Sequence, residues 1–316
     1  MTAADIAGYY KALTVEVGAD MTGKDVRTVL ERKLGVSRSL LSRLKLTEYG
    51  ITINGVRAYT TAKVSEGDQV AIRMEEEISE DILPQELPLS IVFEDDYLLV
   101  VNKPAGIIVH PTKGHYTNTL ANAIVHHWLV QGERVRFRPV HRLDEDTSGL
   151  VVIAKNPYIH QQLSEQLQAG TIMKIYCAYV YGKPPLAEGT IDAPIDRNPD
   201  DPHVRIVTPE GYPSVTHYKT AAVFGGGQAS RVRLKLETGR THQIRVHMKH
   251  IGCPLVGDSM YGPQSGKVEE WESTAQRQAL HAETLGLTHP MTKEWIEWTA
   301  ALPLELVKLE QVLSEK

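Results

Sequence analysis

"VHRLDEDTSGLVVIAK", residues 140–155, sets three carboxylates, two basic groups and two hydroxyls in an arc that runs straight into an apolar run. Leu150, Val151, Val152, Ile153 and Ala154 follow Thr-Ser-Gly without a polar interruption. A short, β-branched apolar run bounded by a turn signal reads as a buried strand. A loop anchored to a buried strand can hold a rigid shape. Leu143 draws its neighbour Asp144 inward, and a carboxylate carried inward must be paired or hydrogen-bonded to stay ionised. On these residues alone, Asp144 or Asp146 could equally cap a turn.

Outward from this arc the chain is β-rich. "LSIVFEDDYLLVVNKPAG" reads as strand, Asp-Asp turn and strand, with Pro104 and Gly106 ending it. "TNTLANAIVHHWL" reads as a helix capped by Thr117 or Asn118. In "NPYIHQQLSEQL" Asn156 caps, Pro157 takes the first turn, and Ile159, Leu163 and Leu167 form an apolar stripe. "VTHYKTAAVFGGGQASRVRLKLET" is a hairpin whose second arm turns Val232, Leu234 and Leu236 inward and Arg231, Arg233 and Lys235 outward. A last hairpin, "ALHAETLGLTHPMTKEWIEWTA", precedes a helix near residues 304–314. Hairpin-paired strands with interspersed helices predict an α+β fold on a largely antiparallel mixed sheet.

Residues 1–75 read as a separate basic module. Val26, Val29, Leu30 and Leu34 make one helical stripe, Ser37 can cap a second helix, and Asn54-Gly55 marks a hairpin turn. Residues 76–88, acidic and proline-bearing, read as a linker. The catalytic domain is then expected over residues 89–316.

The totals exclude several classes. The chain has 316 residues with 42% hydrophobic and 23% charged side chains, enough for a core. No apolar run nears the ~20 residues that cross a bilayer, and the opening "MTAADIAGYYKALTVEV" lacks the form of a secretory leader. Cys177 and Cys253 are too few for a disulfide framework, so a reducing cytoplasm is expected. The net charge of −5 argues against non-specific coating of nucleic acid, yet basic residues cluster over 24–45, 134–142 and 231–245. Such clusters are either an electrostatic footprint or ordinary solvated faces.

Two further segments carry candidate chemistry. In "ETGRTHQIRVHMKHIG" Gly239 permits a tight turn, Thr241 can cap, and Ile244, Met248 and Ile251 share a helical face ended by Gly252. Arg240 sits in the turn and Arg245 in the first helical turn, where an Arg can meet a buried carboxylate in a two-pronged pair or remain a surface charge. In "MKIYCAYVYG" Tyr176 shares a strand face with Ala178 and Val180, either as a core aromatic or as a stacking surface for a base. His242, His247 and His250 lie close, but ring positions five apart on a helix point about 140° from each other. No Cys–His cluster has zinc spacing, and no phosphate loop or dinucleotide fingerprint occurs, so no metal and no cofactor are expected.

Taken together, "HRLDEDTSGLVVIAK", "NKPAGIIVHP" and "GRTHQIRVHMKHIGCPLVGDSMYG" resemble the RluA family of RNA pseudouridine synthases. "IVFEDDYLLVVNKPAG" and "LHAETLGLTHPMTKEWIEW" extend the likeness in the same order, over about residues 87–306. The basic N-terminal module resembles the S4 RNA-binding module, as in the family's large-subunit ribosomal members. Its opening "MTGKDVRTVL" and the long "LKLTEYG" depart from that module's usual pattern. The resemblance implies that Asp144 is the catalytic aspartate, Arg245 its ion-pair partner, and Tyr176 a platform for the target uracil. Arg142 would fill the space left by the flipped nucleotide. Ile244 would wall the pocket, His141 would brace the loop beside the substrate, and Arg240 would line the RNA path. In the S4-like module Arg38, Arg43 and Lys45 are the phosphate contacts. RNA, most of all ribosomal RNA, is the implied partner of a monomer.

The chemistry fits these residue types. Isomerisation breaks the N1–C1′ bond, turns the uracil and joins C5 to C1′. Glycoside hydrolysis uses two carboxylates because its leaving oxygen needs a proton. A uracil anion is resonance-stabilised and retained, so one carboxylate suffices. Asp144 could attack the sugar, attack the base, or take the C2′ proton. Competing readings are a transfer-RNA synthase, a glycosidase using Asp144 with Asp146 or Glu145, which would release free uracil, and a non-catalytic ribosome-assembly factor.

Overall fold

The computed structural model describes residues 6–315; residues 1–5, which open the stretch read as lacking a leader, and residue 316 lie outside it. The N-terminal module comprises β1 (Leu13–Glu16), α1 (Val26–Lys33), α2 (Arg38–Leu44), β2 (Ile51–Ile53), β3 (Val56–Arg57) and β4 (Gln69–Ile72). Its sheet runs β1-β4-β2-β3, all antiparallel. The expected helix stripe buries Val26, Val29 and Leu30, and Ser37 accepts the Leu40 amide as a cap. Asn54 and Gly55 both take positive φ, as a two-residue hairpin turn requires.

The larger unit follows as β5 (Ile91–Glu94), β6 (Leu98–Lys103), α3 (Leu120–Val130), β7 (Ser148–Ala154), α4 (Pro157–Gln168), β8 (Met173–Tyr181) and β9 (Glu188–Asp192). Then come β10 (Ile195–Arg197), β11 (Arg205–Val207), β12 (Val215–Phe224), β13 (Ala229–Leu236) and α5 (Gln243–His250). It ends with α6 (Glu269–Ala275), β14 (Leu280–Thr288), β15 (Trp295–Thr299) and α7 (Leu304–Ser314). The main sheet runs β5-β6-β7-β14-β8-β13-β12-β9, with β15 on β14. Among the described residues only β7 and β14 pair in parallel, so the fold is α+β on a largely antiparallel mixed sheet. Gly149 (φ +120°) stands where β7 meets β14, and a Cβ there would collide with the Ala282 backbone.

Two caps differ from expectation. α3 is capped by Thr119, whose hydroxyl accepts the Asn122 amide while Asn122 returns a bond to the Thr119 amide. Asn118, one residue earlier, takes a left-handed turn instead. At α5 the cap residue is His242, not Thr241, again left-handed (φ 58°).

The module and the sheet share one apolar cluster that runs from Val29 and Leu40 to Tyr158, Ile159 and Leu163 of α4. Gln161 clasps the α1–α2 turn, accepting the Ser37 amide and donating to the Gly35 carbonyl. Residues 76–88 carry no helix or strand, yet Ser79 and Ile82 are buried and Ser79 accepts the Phe137 amide. Glu77 pairs with Arg138 at 2.6 Å and with Arg43 at 2.5 Å, and Glu76 meets Arg134 at 3.6 Å. The basic run near residues 134–138 is thus matched by the acidic run, and Arg231 and Arg233 pair with Glu310 and Glu283. These residues are faces satisfied within the fold rather than a free electrostatic footprint.

Candidate active site

The arc of residues 141–147 is gripped from both sides by buried cations. Lys103, at the end of β6 and fully buried, donates from Nζ to the carbonyls of Pro104, Ile107 and Glu145 at 2.8–2.9 Å. Burial, helped by Arg277, pushes its ammonium down to about 7, against the pull of Asp146, Asp144 and Glu145. From the other side Arg277 donates to the Asp146 carbonyl at 2.8 Å and to Ser148 Oγ at 2.9 Å, while Glu305 of α7 pairs with it at 2.7 Å. The Thr147 amide closes the turn on the Asp144 carbonyl. Backbone carbonyls of two successive residues are therefore fixed just past Asp144.

Of the three carboxylates, Glu145 and Asp146 are exposed, and Asp144 turns inward with its side chain one-quarter exposed. Arg245 Nη1 lies 3.4 Å from Asp144 Oδ2, so the expected partner is in place. The two-pronged pair, however, is with another acid. Arg245 donates through Nε to Asp258 Oδ2 at 2.7 Å and through Nη2 to Asp258 Oδ1 at 2.9 Å. Asp258 is wholly buried, and its Oδ1 also accepts the amides of Met260 and Tyr261. The guanidinium stacks on the Tyr261 ring at 4.9 Å. Burial disfavours its charge, but Asp258 and then Asp144 hold it above the usual arginine value. Asp258 was missed from the sequence. The run "GDSMY" does carry an Asx-turn pattern, but nothing local reveals that its carboxylate reaches an arginine on α5.

Tyr176 lies on β8, one of the central strands, in the same apolar cluster as Leu143, Leu234 and Ile244. It is 7% exposed, its hydroxyl has no hydrogen-bond partner among the described residues, and burial with the Asp144 charge pushes its phenol up. Arg142 is exposed, with no partner among the described residues. Arg240 is exposed, donates to the Pro213 carbonyl and lies over the Tyr212 ring. Arg38 and Lys45 are exposed in the N-terminal module, whereas Arg43 is engaged with Glu77. The three clustered histidines diverge: His247 is buried between Thr216 and the Ala193 carbonyl, His250 is exposed, and His242 turns to Tyr261.

His141 lies with the strand, not with Asp144. Its Nε2 accepts the Val152 amide at 3.4 Å, and its Nδ1 is buried with no partner among the described residues. Burial, with the nearby Lys174 charge, pushes the ring down to about 3. The folded value lies below the unfolded one, so the stabilisation is present above about pH 6.5 and is lost as acid protonates the unfolded chain. His141→Phe is expected to flatten the fall in stability between about pH 6.5 and 4 by up to ~1.4 kcal/mol per pH unit. Urea unfolding at several pH values measures it; an unchanged slope would refute the neutral, buried ring.

A family model for RNA pseudouridylate synthases matches residues 97–250. The chain is 38% identical over 299 residues to the uncharacterized RNA pseudouridine synthase YhcT of Bacillus subtilis strain 168, spanning 95% of this chain and 96% of that one. It is 43% identical over 282 residues to the ribosomal large subunit pseudouridine synthase D of Escherichia coli O6:H1, spanning 86% of each. Among solved structures, human RNA pseudouridylate synthase domain containing 4 superposes with a TM-score of 0.58 at 23% identity, over 71% of this chain and 92% of that one. The sequence relatives define the class, that of the RNA pseudouridine synthases. Within it, the chain belongs to the RluA family of RNA pseudouridine synthases, isomerases that act on uridines in RNA.

Proposed function

We propose that this isomerase modifies large-subunit ribosomal RNA, with Asp144 as the essential carboxylate acting on a flipped uridine. One observation carries the site: of three adjacent acids only Asp144 turns inward, beside a guanidinium locked by Asp258. The target uracil stacks on Tyr176, against the wall formed by Ile244. Arg142, exposed and without a partner among the described residues, occupies the gap in the RNA stack, which offsets the cost of unstacking. Arg240 meets the adjoining backbone, and His141 supports the loop from behind. The reading of the RNA follows the relative named for the large ribosomal subunit and the basic module at the N-terminus.

Residues 1–75 act in this proposal as an S4-like RNA-binding module, joined through residues 76–88 to a catalytic domain of residues 89–316. The enzyme works as a monomer in the cytoplasm. Arg38 and Lys45 present free charge to phosphates. Arg38→Glu is expected to weaken RNA binding about 3- to 10-fold and to lower the salt slope by roughly 0.7–0.9 for each phosphate no longer neutralised. Filter binding across a salt series checks this; an unchanged slope would remove Arg38 from the interface.

Mapping pseudouridines at nucleotide resolution in cells with and without the gene tests the substrate. Sites lost from large-subunit ribosomal RNA support the proposal. Sites lost only from transfer RNA would reassign the target, and none lost from any RNA would favour an assembly factor.

A further inference from the structure

His242 stands three residues before Arg245, at the start of α5, in a left-handed conformation (φ 58°, ψ 17°) that L-residues seldom adopt. Its side chain caps nothing. The ring is instead set edge-on to Tyr261, at 5.5 Å and 73°, with Nδ1 2.8 Å from Tyr261 Oη. Pairing each hydrogen with an acceptor assigns the tautomer. Tyr261 Oη already accepts the Arg205 amide at 2.7 Å, so the hydroxyl hydrogen goes to its remaining neighbour, His242 Nδ1. Nδ1 is then the acceptor and Nε2 carries the ring hydrogen. Burial keeps the ring neutral against the pull of Asp144, with Arg245 and Arg205 acting in the same sense as burial.

His242 Nε2 lies 3.9 Å from Asp144 Oδ2, the same oxygen that Arg245 Nη1 approaches at 3.4 Å. Asp144 Oδ1 meets no donor among the described residues. We propose that His242 is a positioning residue: with its tautomer set by Tyr261, it joins Arg245 in holding Oδ2 and so presents Oδ1 to the substrate nucleoside. In the free enzyme the Arg245 contact is a long hydrogen bond and the His242 contact lies just beyond hydrogen-bond reach; both tighten when RNA closes the site, as catalytic contacts commonly do. The tyrosine is anchored by the β10–β11 hairpin through Arg205, so the path runs from that hairpin to the held oxygen, Oδ2 of Asp144. This inference rests on the reading of Asp144 as the working carboxylate.

The experiment uses the full chain and total RNA, labelled with [5-³H]uridine, from a strain that lacks the gene. Joining C5 to C1′ frees the tritium. His242→Asn keeps a residue suited to the left-handed turn but is too short to bridge Tyr261 and Asp144. It should lower kcat about 10- to 100-fold while KM stays within about twofold, as expected when a reacting group is displaced. Tyr261→Phe retains the ring packing and should lower kcat in the same way. The double variant should be no slower than His242→Asn alone, because both act on one oxygen. A purely structural role predicts lower melting temperatures, losses that add, and unchanged kcat in the folded fraction; that result overturns the proposal. Asp144→Asn is run alongside. If it is inactive while His242→Asn and Tyr261→Phe turn over normally, only the positioning inference fails. If Asp144→Asn itself retains activity, the reading of the site fails with it.

Discussion

Asn in place of Asp144 is expected to lower turnover at least ~10³-fold while leaving RNA affinity within about threefold, because in the proposed function the loss falls on the group used in the chemical step. The substitution keeps shape and one oxygen toward Arg245 and removes the charge. Folding should tolerate it: the side chain is one-quarter exposed, and the turn is held by backbone groups. Lys103 grips the Glu145 carbonyl, Arg277 grips the Asp146 carbonyl, and the Thr147 amide bonds the Asp144 carbonyl. None of these bonds uses the Asp144 carboxylate. Tritium release and binding to the same RNA separate the two effects. A variant that binds poorly but turns over normally would show Asp144 to be a binding residue.

Asp258→Ala is expected to cost about 3–5 kcal/mol of folding stability, the usual loss when one partner of a buried ion pair is removed. Asp258 is wholly buried and accepts four donors, two from Arg245 and the amides of Met260 and Tyr261. Alanine would leave a nearly buried guanidinium with Asp144 as its remaining acid, at 3.4 Å. Arg245 would then shift toward water or toward Asp144, so the folded fraction should also lose activity. Urea midpoints at constant m give the stability, and kcat corrected for folded protein gives the second effect. A loss below about 1 kcal/mol would mean that Asp258 is not the anchor of this site.

What could be read from the sequence was what local chemistry decides. Val232, Leu234 and Leu236 alternate inward along β13 because a half-buried strand has a two-residue period. Asn156 and Pro157 start α4 because one supplies an acceptor and the other fits the first turn. Asp144, Tyr176 and Arg245 were placed by resemblance, and the structure brings them to one face of the central strands. What escaped depends on distant partners. β1 is four residues long, and its hydrogen bonds come from β4, over fifty residues away. α6 begins with acids that suit a helix N-terminus but read as a plain charge cluster. The pairing of Glu77 with Arg43 and Arg138, and of Asp258 with Arg245, joins charges whose sequence positions give no hint of one another.

In the proposed function a single acid of the "DED" arc does the work. Tritium release from [5-³H]uridine-labelled RNA by the wild type, Asp144→Asn, Glu145→Gln and Asp146→Asn tests it most directly. Only Asp144→Asn is expected to be inactive, since the other two side chains face solvent and contribute their carbonyls. Activity retained by Asp144→Asn, or lost equally in Asp146→Asn, would contradict it.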